Sequence, residues 1–252
     1  MILSIIQARM GSSRLPGKVM MKVGHLPLIG YMLKRLSYSE KVDKFIVATT
    51  DKTSDDELAN YVENLGYEVF RGSEENVLER FTLAAKPYKP EAVLRLTGDC
   101  VLADPTIIDN LIALFRKSKA DYCWVDSSFA EGLDAEILSY STLKTVFLKA
   151  KLASEHEHIT QFIHNNSDNF SRVPLKNKID ESKYRIVVDE PEDLEVVRNI
   201  VEHFEAEEFG INYSFREIKD FLNRRPEILA LNRHIVRNEG LKISLENDKN
   251  VR

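Results

Sequence analysis

Two cysteines in 252 residues leave no basis for a disulfide framework, and neither sits in a cluster with zinc-ligand spacing. Positive charge is not in excess: 35 Lys and Arg stand against 40 Asp and Glu, a net charge of −5. That balance argues against a nucleic-acid coat or a polybasic membrane arm. No stretch approaches the ~18 apolar residues of a membrane span. The first apolar run is too short for a signal peptide and has no basic residue before it. A cytoplasmic, reducing setting is the expectation. No Gly-x-Gly occurs, so a dinucleotide fingerprint is absent. What the chain does have is bulk. At this length roughly 70% of the extended surface is buried on folding, enough for a core without staples.

The apolar pattern alternates between two periods. Ile2 to Gln7, Lys44 to Thr49, Tyr67 to Phe70, Ala92 to Leu96, Ala120 to Val125 and Tyr184 to Val188 read as strands. Between them, Leu26 to Leu36, a segment capped by Ser54 and Glu57, Glu75 to Ala85, the run after Asp104-Pro105, and Pro191 to Phe204 read as helices. Such alternation predicts an α/β fold with a mostly parallel sheet and helices on both faces. Residues 126–182 are less regular and are expected to form an excursion from one nucleotide-binding domain over 1–210. Residues 211–252 form a C-terminal extension.

In an open parallel sheet, ligands sit beyond the carboxyl ends of the strands. After the first strand comes Ala8-Arg9-Met10-Gly11-Ser12-Ser13-Arg14-Leu15-Pro16-Gly17-Lys18. Three cations, two glycines and two serines there make a phosphate cradle by composition, because backbone N–H groups and cations together hold anions. A basic surface loop is the bland alternative. The Walker pattern fails: five residues separate Gly11 from Gly17, and Val19 replaces the Ser or Thr. Asp99, after the fourth strand, stands where a carboxylate could hold Mg²⁺ against a triphosphate. Asp104 reads as an N-cap before Pro105. Asp189 fits an N-cap and a second metal ligand equally well. His156 and His158 are two apart and point to different sides of a helix, unlike His-Glu-x-x-His. Cys100, Cys123 and Trp124, at strand ends, read as packing residues.

The run from Ile5 to Lys18 resembles the cytidylyltransferase family typified by the spore-coat polysaccharide synthesis protein, related to CMP-Kdo synthetase and acylneuraminate cytidylyltransferase. Further matches follow in order: Ala48 to Asp51, Arg71 to Phe81, Arg95 to Cys100, Gly132 to Glu136, Glu157 to Thr160 and Val188 to Leu194. The resemblance implies a Rossmann-like nucleotidyltransferase domain, transferring CMP from CTP to a sugar acceptor. By the same resemblance, Ala8, Arg9, Met10, Gly11, Ser12, Arg14 and Lys18 would hold the triphosphate. Thr49, Asp51, Arg71 and Glu75 would border the base, and Thr97 and Gly98 would line the nucleoside. Arg14, Lys18 and Asp99 would carry catalysis, with Asp99 and Asp189 holding Mg²⁺. Asp134, Glu136 and His158 would face the acceptor. A homodimer joined through 126–182 is also implied. The family often has Arg where His156 stands and Pro where Gln161 stands. A sugar-phosphate nucleotidyltransferase, a glycosyltransferase and a non-catalytic nucleotide-binding module are the alternatives. The lack of any Asp-x-Asp pair weakens the glycosyltransferase reading.

Overall fold

The computed structural model describes residues 1–206, 210–237 and 239–251. Strand β1 (Ile2–Gln7) is apolar on both sides because it lies at the centre of the sheet. Ile2 and Ile6 enter one core, and Leu3 and Ile5 enter the other, as the two-residue period of a strand requires. A short antiparallel hairpin, β2 (Lys22–Val23) and β3 (Leu26–Pro27), precedes α1 (Leu28–Leu36). The helix therefore begins two residues later than its apolar spacing predicts. Next come β4 (Lys44–Thr50), α2 (Asp56–Asn64), β5 (Glu68–Gly72), α3 (Val77–Ala85), β6 (Ala92–Thr97) and α4 (Pro105–Ser118).

β4 and β6 flank β1, both parallel to it, with Gln7 in register with Ala48 on one side and Thr97 on the other. The carboxyl ends of three strands therefore open on one edge. The chain runs outward from β1 through β4 to β5, then crosses back to β6 on the far side of β1. The crevice between β1 and β6 is the place where such sheets bind ligands. Gly98 keeps it narrow: a Cβ there would lie 2.9 Å from the Ala8 Cβ.

Residues 126–182 return two strands to the sheet. After β7 (Tyr122–Val125), β8 (Glu136–Ser139) inserts antiparallel between β6 and β7, and β9 (Arg172–Leu175) adds parallel to β7. Helices α5 (Tyr140–Lys149), α6 (Ala153–Glu157) and α7 (Gln161–Asn165) connect them. The region is thus partly built into the sheet, with three helices between its two strands. Tyr184–Val188 is not a sheet strand. It is held by one parallel bridge, Glu131 to Arg185, and by the Val188 N–H donating to Asp99 O at 3.0 Å. Gly132 permits this approach; its φ is 104°, and a Cβ would lie 2.5 Å from Val187 N.

After α8 (Pro191–Ala206), the chain from residue 210 onward packs into the main core through α9 (Phe215–Arg224) and α10 (Pro226–Leu229), while α11 (Glu239–Glu246) lies against α6. Arg35 of α1 is fully buried and donates to Ile211 O at 2.7 Å and Tyr213 O at 2.8 Å. A charge so placed is tolerable only because carbonyls receive it. Asp104 caps α4 as expected. One carboxylate oxygen accepts from Thr106 N at 2.8 Å, and the other reaches Phe215 N at 2.8 Å. Among the described residues no helix is long and apolar enough to cross a membrane.

Candidate active site

Cradle residues 8–18 leave β1 and fold back on themselves, with Gly17 N donating to Met10 O at 2.9 Å. Gly17 takes φ 71°, a conformation other residues resist. Asp55 ties this loop to β4. Its buried carboxylate accepts from Met10 N at 2.9 Å, Thr49 Oγ1 at 2.7 Å, Thr50 N at 3.0 Å and Thr50 Oγ1 at 2.6 Å. Burial pushes this carboxyl upward, but the hydrogen bonds outweigh it and hold it below the usual range. The capping box expected at Ser54 and Glu57 does not form, because α2 starts at Asp56 and Asp55 points into the site. Asp55→Ala leaves these donors unsatisfied and is expected to cost about 3 kcal/mol. A fall in Tm of roughly 6–12 °C would report it. The Asp55 carboxyl has a lower pKa folded than unfolded, so its stabilisation is present above pH ~4 and fades below it. The Tm gap to the variant therefore closes on acidification.

Lys18, at the end of the cradle, is 9% exposed. Its Nζ donates to Val188 O at 2.7 Å and Asp189 Oδ1 at 2.9 Å, and lies 3.5 Å from Asp99 Oδ2. Burial would lower its pKa, but the two carboxylates raise it above the ordinary lysine value, so it stays an ammonium at neutral pH. Arg14 reaches Asp189 at 3.1 Å and Glu190 at 3.3 Å. The Asp189 carboxylate thus serves Lys18 and Arg14, while Asp193 takes the backbone N–H groups of Asp189 and Glu190 at 3.0 Å each. Asp99 Oδ1 accepts from Thr97 Oγ1 at 2.5 Å. Burial acts to raise the Asp99 pKa, and Lys18 and Thr97 bring it below the ordinary value.

Asp99 and Asp189 therefore converge on one cationic point. Two carboxylates, completed by phosphate oxygens and water, are a usual way of holding Mg²⁺, so the pair fits that ion. No cluster of three or more His, Cys, Asp or Glu suited to a metal occurs among the described residues.

Two cavities meet here. The larger, about 1050 Å³, takes its walls from the cradle, from the start of α3 and from α6. Ala8, Arg9, Gly11, Ser12, Arg14 and Lys18 line it, as do Glu75, Thr97, Gly98 and Asp99. Met10, Thr49, Asp51 and Arg71 are not among its lining residues. Thr49 is fully buried on Asp55, and Arg71 braces the loop after β4 through Thr50 O at 2.9 Å and Asp56 at 2.6 Å. The second cavity, about 730 Å³, holds Asp134, Glu136, His158 and Asp189 in its lining. Gln7, Arg14, Thr97, Asp99 and His158 line both.

The second cavity is a pocket of paired charges. Glu136 is held by Arg95, Tyr122 and Thr160, the last at 2.7 Å; burial opposes its charge, and Arg95 leads the groups that lower its pKa. Asp134 accepts from Gly132 N at 2.9 Å and Arg237 Nη2 at 3.0 Å. Trp124 is only partly buried. It stacks on Tyr122, 5.1 Å between centroids, and packs against the core with one side while walling the cavity with the other. Cys100 and Cys123 are buried and free.

Sequence reasoning passed over Asp55, Asn76, Arg80 and Arg237 as site residues. An N-cap pattern hid Asp55. Arg237 arrives from a tail without a motif. Asn76 and Arg80 stood inside the matched run Arg71 to Phe81, without a role.

A family model described as cytidylyltransferase matches residues 3–236. The chain is 34% identical over 236 residues to an uncharacterized protein of Methanocaldococcus jannaschii, covering 93% of this chain and 95% of that one. It is 32% identical over 235 residues to the spore coat polysaccharide biosynthesis protein SpsF of Bacillus subtilis, covering 90% and 95%. A solved cytidylyltransferase from Leptospira borgpetersenii superposes with TM-score 0.87 at 32% identity, covering 94% of this chain and 99% of that one. With a cation-rich loop at the β1–β6 crevice and a family match over nearly the whole length, the chain belongs to the cytidylyltransferase family and is a nucleotidyltransferase.

Proposed function

We propose that this enzyme transfers CMP from CTP to an acidic sugar acceptor, with Mg²⁺ held by Asp99 and Asp189 and pyrophosphate released. The product would feed a surface polysaccharide or glycoconjugate. One observation carries the reading: a cradle cavity and a second cavity share Arg14, Thr97 and Asp99 at their boundary. That boundary is where a nucleotide's α-phosphorus and an acceptor oxygen would meet. The polysaccharide role named for the Bacillus subtilis relative supports the product class.

In the reaction, the acceptor oxygen bonds to the α-phosphorus, and the bond to the pyrophosphate oxygen breaks. Negative charge grows on oxygens around phosphorus. Lys18 and Arg14 oppose that charge from fixed positions, which is the usual source of rate in such transfers. Bound Mg²⁺ would supply further Lewis-acid charge neutralisation. His158 lies at the boundary, and burial lowers its pKa. It is therefore neutral near pH 7 and able to take the acceptor's proton. No nucleophilic side chain is required, so no covalent intermediate is invoked.

Most cations around the second cavity are already paired: Arg95 with Glu136, Arg185 with Glu131 and Asp193, Arg237 with Asp134. Among the described residues, Lys176 lines it with no hydrogen bond or ion pair shown for its ammonium. It is the group available to an acceptor carboxylate. Lys176→Ala is expected to raise the acceptor KM roughly five- to tenfold, with kcat little changed, about 1 kcal/mol of uniform binding. Steady-state kinetics with acceptor varied would check this. The whole proposal is tested by incubating CTP with a panel of sugar acids and neutral sugars. Mass detection of a CMP conjugate with a sugar acid supports it; a conjugate formed only with neutral sugars contradicts the acidic acceptor.

A further inference from the structure

The wall of the larger cavity beyond the cradle carries three buried side-chain polar atoms without hydrogen-bond partners, His156 Nε2, Arg80 Nε and, at the boundary with the second cavity, His158 Nε2. His156 is 6% exposed and Arg80 2%. Buried polar atoms are rarely left unpaired, so each calls for a ligand group or another explanation.

Their donor and acceptor characters can be worked out. Asn76 is the N-cap of α3, and its Oδ1 accepts from Glu79 N at 3.0 Å. A backbone N–H can only donate, so that side-chain atom is the amide oxygen. The same Oδ1 lies 3.0 Å from His156 Nδ1. An oxygen that accepts requires Nδ1 to carry the proton. In the neutral ring Nε2 is then a bare lone pair, an acceptor. Arg80 lies one helical turn after Asn76 on the same face of α3. Its Nη1 donates to Ser73 O at 2.6 Å, and it can only donate. Burial and nearby Arg9 lower its pKa to about 10, which still leaves it charged at neutral pH. Away from the boundary, His156 and Arg80 thus give this wall one acceptor and one donor.

That pattern distinguishes pyrimidines. Cytosine offers the N4 amino donor beside the N3 acceptor. Uracil reverses both, with O4 accepting and N3–H donating. We propose that His156, held in one tautomer by Asn76, accepts from the exocyclic amino group of the donor nucleotide's base, and so selects CTP against UTP. Arg80, on the same cavity wall and one turn after Asn76, supplies a donor. His156 is the specificity-determining residue, and Asn76 is a positioning residue that acts through it. The proposal rests on CTP being the donor nucleotide, as argued above. It gives the helix-cap residue Asn76 a second duty that a capping role alone does not require.

The test compares kcat/KM for CTP and UTP, by pyrophosphate release with Mg²⁺ and acceptor present, in wild type and two variants. His156→Leu keeps similar bulk and removes the acceptor. Asn76→Ser keeps a helix cap, but its hydroxyl can donate or accept and no longer dictates the tautomer. The CTP-over-UTP ratio is expected to fall roughly tenfold or more in His156→Leu and at least about threefold in Asn76→Ser, from the loss of one directed hydrogen bond. If His156→Leu does not fold, Asn76→Ser decides alone. A wild-type preference for CTP that persists unchanged in a folded variant overturns the assignment of His156 but leaves the cytidylyl reading intact. A wild-type enzyme that uses both nucleotides equally overturns both.

Discussion

Asp99→Ala is expected to fold and to lose turnover by roughly three orders of magnitude. The fold survives because Asp99's partners keep other contacts. Lys18 retains Val188 O and Asp189, and Thr97 still faces the Cys100 Sγ at 3.3 Å. Turnover falls because Asp99 is one of two carboxylates that converge at the boundary of the cavities. On the proposed reading, removing it would leave Mg²⁺ with Asp189 alone. Lewis-acid stabilisation at phosphorus is worth several kcal/mol, and about 4 kcal/mol corresponds to three decades of rate. The check is kcat measured across a Mg²⁺ titration, alongside Tm. A variant with full activity and wild-type metal dependence would sink the metal assignment.

Lys18→Ala is expected to lower kcat/KM by about 2–4 kcal/mol, the scale of losing one preorganised donor to developing negative charge. Lys18 is suited to this role because its position is over-determined: a carbonyl and two carboxylates hold one ammonium, and burial leaves little water to screen it. The substitution has a second consequence. It leaves Asp99 and Asp189 facing each other without their common cation. The variant should therefore gain more in Tm from added Mg²⁺ than the wild type does, since an ion that binds only the folded state stabilises it. A loss in kcat/KM below tenfold would make Lys18 peripheral.

Much of this arrangement was legible from residue order. The apolar runs located β1, β4 and β6, and the rule that ligands lie beyond strand ends pointed to Ala8–Lys18 and Asp99 before any geometry. The pair Asp104-Pro105 announced a helix start correctly. Legibility failed where a residue serves two sites distant in sequence. Asp55 looks like part of a helix cap, yet it ties β4 to the cradle. Thr49 and Arg71 lie near the carboxyl ends of β4 and β5, but their side chains are consumed by Asp55 and by Asp56 with backbone carbonyls, respectively. β8 and β9 are short and polar-flanked, and although β8 pairs with nearby β7, its other neighbour β6 and the β7 partner of β9 lie more than 40 residues away, as with Arg95 opposite Glu136. Asp189 fitted two roles by spacing, and its place between Lys18 and Arg14 is a contact that spacing does not reveal. His156 stands two residues from His158, a spacing unlike a zinc pair, and its relation to Asn76 across 80 residues is a property of the fold.

The central claim is that the cradle and the boundary carboxylates serve a cytidine nucleotide. The most direct measurement is pyrophosphate release from CTP, UTP, GTP and ATP in parallel, with Mg²⁺ and an acidic sugar acceptor present. The account predicts a clear preference for CTP. A clear preference for any of the other three would contradict it.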